Sequence, residues 1–487
     1  MIKNIYDLSG GQNSKVSPLF IKDNECEIVQ NYHMDELGAL KKRLGTKQLL
    51  VGADSQVVDN KDINGIYFFK DIQFSNEDDR SNLLVVCNDN VYTVETGAWD
   101  VSDAGTGGTS PSFCTFIDYV FKTNGADAMG SSADPRPTGG SWGTTNCLAT
   151  LIPKYTCVWE DRVYALNDAS ATEYPSRIYW SSLPSGAPLA ITFTPGTDYA
   201  DINPDDGDEI TWGEPFGSRL LIFKNNALYR WTFGQVEPDK IIDEGTHQGY
   251  TVKQIHGICF FANKYGIWAY SGDRPKLISR KVQPFIDAVD SANLTNMRAE
   301  VDNDHYYLYI GTVTVNGTSY ANAMLAYTIS LNAWAVYTFP WAIKSMARAQ
   351  LHVTSSTFDA IYIGNDDGYV YRFLEPLVYT DRILYNTTKA INGYIRSKEY
   401  PLNFPKTSQL KQLYVVAQKA LGTKVNYRID RGEIKPWHDL KERITDGSLV
   451  GRARTIQFTF TNNSDDVEPD QLEGFSIEYK PEEKTRK

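Results

Sequence analysis

A short apolar or aromatic run, a polar turn and a second short run recur along this chain. The unit appears as NLLVVCNDNVYTVETGAW (82–99), CVWEDRVYALND (157–168), SRLLIFKNNALYRW (218–231) and GICFFANKYGIWAYSG (257–272). It returns as HYYLYIG (305–311) with MLAYTISLNAWAVYTF (324–339), and as DAIYIGNDDGYVYRF (359–373). Turn pairs such as Asn225–Asn226 and Asp367–Gly368 between β-rich runs signal hairpins. Helical periodicity is scarce. Blades of a propeller recur every ~40–50 residues, and the later units keep near that spacing. The expectation is an all-β chain built on a β-propeller of about six blades, each burying its faces against its neighbours. An irregular pair of β-sandwiches is the alternative.

The interval between the first two units is too long for one blade. It holds DAGTGGTSPS (103–112) and GADAMGSSADPRPTGGSWG (125–143), rich in Gly, Ser and Pro. That stretch, near 102–150, is read as a loop insertion in a propeller spanning 61–376. Beyond it, LKQLYVVAQKA (410–420), KVNYRID (424–430), RTIQFTFTN (454–462) and GFSIEYK (474–480) alternate apolar and polar residues. They predict a separate C-terminal antiparallel β domain over 377–487. Residues 1–60 fit neither pattern and are read as an N-terminal arm or strand segment.

The chain has 487 residues, enough for two or more domains, and 13% of them are aromatic, which leans towards β structure. A formal charge of −12 argues against tight wrapping of nucleic acid, which needs a basic face, but not against DNA sliding past. Six scattered cysteines, Cys26, Cys87, Cys114, Cys147, Cys157 and Cys259, fit no zinc framework and are expected to stay reduced, with a Cys147–Cys157 bridge as the alternative. The opening MIKNIYDLSGG has no apolar signal region, and no apolar run nears the ~18 residues of a membrane span.

Motifs of catalysis are missing: there is no HExxH, GxSxG, Walker A loop or GxGxxG. The six histidines are scattered singly. In DINPDDGDE (201–209), Asp201, Asn203 and Asp205 match the first positions of a calcium loop, but Asp206 stands where Gly is needed and Trp212 where a bidentate Glu is needed. A polar inter-strand loop is the better reading. Trp180, Trp212, Trp231, Trp268, Trp334 and Trp341 are read as core or blade-interface residues rather than a sugar platform. No catalytic residue, metal ligand or cofactor site is assigned, and no enzyme is expected.

Three stretches together carry a family resemblance. In CEIVQNYHMDELGALKKRLGTKQL (26–49), the residues Asn31, Asp35, Gly38, Leu40, Arg43, Gly45 and Thr46 form the first. The second is DRVYALN followed by YPSRIYWSS, ending at Trp180–Ser181; the third is GDEITWGEPFGSRLLIFKNNALYRW (207–231). In this order they resemble the tail nozzle, or tail tubular protein B, and related DNA-stabilising tail accessory proteins of short-tailed bacteriophages. That resemblance implies a six-bladed propeller, a homo-hexameric ring contacting the tail adaptor and fibres, and double-stranded DNA passing non-specifically through a central channel. It implies a structural virion protein, assembled in the host cytoplasm, that retains the packaged genome and conducts it on infection. A receptor- or glycan-binding propeller at the tail tip is the second reading, and a polysaccharide-degrading propeller the third. Within the opening motif, strand–turn–strand is expected, with Gly38 in the turn and Arg43 anchoring the segment by paired hydrogen bonds.

Overall fold

A computed structural model describes the chain except for residues 36, 51–55, 59, 70–82, 96–97, 105–109, 134–141, 145, 149, 171–172, 187–188, 354–355, 385–386, 419–421, 441–443, 464–469 and 483–487. The described residues are nearly all β, with one five-residue α-helix at Gln283–Asp287. Six four-stranded blades, five of them separate sheets and one continuous with a larger sheet, stand around an axis as a β-propeller. They cover residues 63–104, 153–201, 210–242, 253–277, 298–338 and 343–372, and are called here the first to sixth blades.

Each blade buries both faces, and its second strand records this. Leu83–Cys87 (LLVVC) is buried at every position, and Arg219–Lys224 (RLLIFK) at all but the first. Such strands are continuous apolar runs rather than alternating ones, because no face meets water. Several hairpins turn on two consecutive residues with positive φ, as at Asn88–Asp89 (47° and 68°) and Glu160–Asp161 (44° and 53°). This is the backbone of a type I′ turn, whose twist matches that of paired strands. Neighbouring blades then interlock through aromatic rings. Trp159 and Trp180 both pack on the buried Trp231, with ring centroids 5.8 and 5.7 Å away, and Phe260 stacks on Tyr306 at 5.1 Å.

The stretch 102–150 corrects the sequence reading. Within it, Ser112–Phe116, Tyr119–Thr123 and Gly130–Ser132 form a three-stranded sheet wedged between the first and second blades. Tyr67 of the first blade stacks on Phe113 at 5.4 Å, and Cys114 meets Thr156 of the second blade. The hairpin turns on Ile117 and Asp118 at positive φ (50° and 56°). An isoleucine at such a position is uncommon, so no Gly or Asn announces the turn. Parts of the Gly/Ser/Pro-rich runs, 105–109 and 134–141, lie outside the described residues.

Residues 1–60 are not an arm. The strand Lys47–Gln48 pairs antiparallel with Tyr371 and Arg372 and supplies the sixth blade with its fourth strand. A core shared by Ile63, Ile66, Ala349, Tyr362 and Val370 then closes the ring between the last blade and the first. The earlier N-terminal strands enter a two-layered β-sandwich with the C-terminal residues. Ile2–Ile5 pairs with Gln471–Pro481, as does Leu40–Lys42, and Glu25–Gln30 pairs with Gly393–Ser397. Phe458, Phe460, Phe475, Leu413, Val415 and Tyr400 fill the space between the layers. So the C-terminal β region is not self-contained: the sandwich draws on both ends of the chain, and the propeller is inserted into it. One parallel pair, Val336 with Gln30, runs the fifth blade into the sandwich as a single sheet.

Candidate functional site

The opening motif folds as the hairpin Tyr32–Met34 and Leu40–Lys42, with Tyr32 opposite Lys42 and Met34 opposite Leu40. Asp35 builds its turn: Oδ1 accepts from the backbone N–H groups of Leu37 (3.1 Å) and Ala39 (2.7 Å). Gly38 sits at φ +87°, and its carbonyl accepts from Leu8 N–H at 2.8 Å. Leu40 is fully buried in the sandwich core.

Arg43 leaves this hairpin into the seam between sandwich and propeller, where its side chain is wholly buried. Both Nη atoms face the Asp381 carboxylate, with Nη1–Oδ1 at 3.0 Å and Nη2 donating to Oδ2. Nε donates to Asn31 Oδ1 (3.0 Å), Nη1 to Leu44 O (3.0 Å) and Nη2 to Thr338 O (2.9 Å). All five N–H donors of a guanidinium therefore have acceptors. Its plane lies over the Phe339 ring at 4.6 Å. Asn31, itself at φ 60°, passes the connection on: Nδ2 donates to Asn392 O (2.8 Å) and Thr338 Oγ1 (2.9 Å), and Oδ1 accepts from Thr338 N–H. Two residues on, Gly45 runs against Thr380, whose carbonyl oxygen would stand 2.0 Å from any Cβ placed there. The structure thus brings Asn31, Arg43 and Gly45 onto one junction with Thr338 and the 380–381 strand. Asp35, Gly38 and Leu40 shape the hairpin that delivers them.

The adjoining Lys42 is also buried and donates to Asn462 Oδ1 at 2.9 Å. Beside it, Asp470 accepts from Tyr32 Oη (2.7 Å) and Thr423 Oγ1 (3.0 Å), and burial holds its carboxyl above the usual range. With Lys42 and Arg43 both inside, the basic run 41–43 is no surface patch for nucleic acid. Asp381, Thr338 and Asp470 carry no local sequence signal for this role, since they lie more than 290 residues from Arg43.

A second buried cation lies in the third stretch of the resemblance. Lys224 is fully buried, and the loop after Asp201 wraps its ammonium. Nζ donates to Ser176 Oγ (2.9 Å), Asn203 O (3.0 Å), and both carboxylate oxygens of Asp206 (2.8 and 2.9 Å). Asp201 instead takes a two-pronged ion pair from Arg177. Of the residues that match a calcium loop, Asn203 together with the neighbouring Asp206 therefore serves the protein's own ammonium, and Asp201 the Arg177 guanidinium. Among the described residues no group of three or more His, Cys, Asp or Glu is placed to hold a metal ion.

The six cysteines are free. Burial pushes the thiols of Cys26, Cys87 and Cys114 up to about 12, far from the thiolate that reacts. None of the ten tryptophans is exposed. On the propeller axis, Glu214 accepts from Trp212 Nε1 at 3.1 Å, near the Lys253–Glu300 ion pair (3.0 Å). Burial pushes its carboxyl up to about 7; Lys253 opposes the shift and Glu300 adds to it.

No family model and no curated protein matches the chain. Among solved structures, it is similar to YCF48 from Cyanidioschyzon merolae at 11% identity, over 65% of this chain and 97% of that one, with a TM-score of 0.40. YCF48 bound to D1 peptide gives 11% identity, 68% and 99% coverage and a TM-score of 0.41. The WD40 β-propeller domain of Doa1 gives 11%, 65% and 94%, with a TM-score of 0.31. Likeness of this degree carries no argument about what the chain does. No helix among the described residues is long and apolar enough to cross a membrane.

Proposed function

We propose that this chain is a structural protein of a tailed-phage virion: a subunit of the ring-shaped nozzle or plug of a short tail. In that role it retains packaged double-stranded DNA and conducts it on infection. The observation that carries the reading is the junction at Arg43. The motif through which the chain resembles nozzle proteins supplies the residues that clamp propeller and sandwich together. Rigid coupling of two bodies is what a subunit under the pressure of packaged DNA requires, and it involves no turnover of substrate. The reading has six copies closing a ring, bound to the tail adaptor and fibres. The conduit then lies between subunits, since the cavity of about 400 Å³ on the propeller axis, walled by side chains such as Arg298 and Tyr250, is too small for a duplex. The charge of −12 suits a surface along which DNA slides without sticking.

Cryo-electron microscopy of particles carrying the chain tests this. The expected result is six-fold density on the tail axis below the portal and adaptor. A single copy, or density only at fibre tips, overturns it.

A further inference from the structure

The inner strands of the blades begin at one face of the propeller, and there they leave a cavity of about 400 Å³ on the axis. Strands of the first, second, fifth and sixth blades and the segments 110, 124–125, 248–250 and 295–296 between sheets form its wall. It lies within the usual range for small-molecule pockets and is too small for a polymer.

Its charge is opposite to that of the chain. Lys154, Arg298 and Lys344 line it, and Asp62 is the one acid among the lining residues. Lys344 pairs with Asp62 at 2.8 Å, and Lys154 with Glu209 at 2.6 Å. Arg298 has no carboxylate within ion-pair distance among the described residues, although it is only 9% exposed. Nε donates to Lys344 O (2.8 Å), Nη1 to Thr295 O and Met297 O (both 2.9 Å), and Nη2 to Ser110 Oγ (3.1 Å). Those four bonds leave one of its five N–H donors over. Its charge rests on the Tyr250 ring at 5.1 Å, and burial holds its pKa below the ordinary arginine value. Buried charges in proteins are normally paired with an opposite charge. With Asp62 and Glu209 committed to lysines, the wall of this cavity carries one positive charge unmatched. Two further polar residues line the same space, Tyr155 and Asn64, and neither side chain forms a hydrogen bond with another described residue.

We infer that the axial cavity is a binding site for a small oxyanion, an organic carboxylate or a phosphate. The anion supplies the counter-charge that Arg298 lacks. Lys344 and Lys154 act as point charges at its rim, and Tyr155 and Asn64 donate hydrogen bonds that orient it. The inference is independent of the tail reading, since it rests on the wall of a single subunit.

Titration calorimetry on the full chain tests it, with inorganic phosphate and succinate as separate probes against sodium chloride of equal ionic strength. The expected result is saturable binding of at least one probe, with a matching rise in Tm; which one binds distinguishes phosphate from carboxylate. Lys344→Gln is expected to weaken that binding about tenfold and Tyr155→Phe by a smaller factor, because charge-assisted bonds are the stronger ones. Arg298→Gln disturbs strand packing as well as charge, so the two milder variants carry the test. Lys3→Gln, which removes a lysine paired with Asp23 on the sandwich, is the control and leaves binding unchanged. The inference is overturned if neither probe gives saturable heat at about 10 mM, where a millimolar site is largely filled. Equal affinity in wild type and Lys344→Gln, or equal loss in Lys3→Gln, overturns it as well.

Discussion

Arg43 and Asp381 lie 338 residues apart and meet in a two-pronged ion pair, with side-chain exposures of 0% and 4%. The pair ties the residue that follows the Tyr32–Lys42 hairpin to a two-stranded hairpin, Thr380–Leu384 with Thr387–Ala390, that follows the propeller. Removing one partner leaves the other charge buried and alone, which costs about 3–5 kcal/mol. Arg43→Met and Asp381→Leu are each expected to lower stability by that order in urea denaturation. Combined, they are expected to cost less than the sum of the two. Strict additivity would show that the two groups do not act as a pair.

Gly45 tests the same seam through shape. A Cβ there has the Thr380 carbonyl oxygen 2.0 Å away, whereas one at Gly196 has nothing within 4 Å. Gly45→Ala is expected to lower Tm and cost about 1–3 kcal/mol or more as the backbones are forced apart. Gly196→Ala is expected to leave Tm nearly unchanged. Similar melting of both variants would show that the seam yields freely.

The first 48 residues hold strands of the sandwich and the closing strand of the sixth blade. A chain lacking them is expected to be insoluble or to show no cooperative melting. A detachable arm would leave a folded propeller behind. Recovery of a monodisperse truncated chain with a sharp thermal transition would contradict the interleaving described here.

Glu214 makes stability depend on pH near neutrality. Its folded pKa of about 7 lies above the ordinary value of 4.5, so between the two the folded state binds more protons than the unfolded. Its contribution to stability is therefore full below pH 4.5 and declines as pH rises towards 7. Glu214→Gln is expected to flatten that slope, and to stabilise the protein at pH 8 by on the order of 1–3 kcal/mol. Denaturation midpoints across pH 5–8 measure it; unchanged slopes in the variant would refute the assignment.

The propeller was legible because its signal is local. Runs such as RLLIFK and the turns between them lie within a few tens of residues, and burial on both faces makes them apolar throughout. The wedge sheet escaped because its hairpin turns on Ile117 and Asp118, a pair that does not advertise positive φ. The sandwich was half seen. Its C-terminal strands alternate, but their partners Ile2–Ile5 and Leu40–Lys42 are short and lie more than 400 residues away. At the junction, Arg43 drew notice through its motif, while Asp381 and Thr338 are ordinary residues that only the fold brings close. The axial cavity is legible only in three dimensions, because its wall takes one or two residues at a time from four blades and from the segments between sheets.

The pairing of Ile2–Ile5 with Gln471–Pro481 sets a timetable for the newborn chain. Ribosomes add ~5–20 residues per second, so the first strand waits tens of seconds before its partner has even been made. Until then the opening forty residues offer unpaired edges to any neighbour on the same polysome. Synthesis of Gln471–Pro481 brings this waiting period to an end.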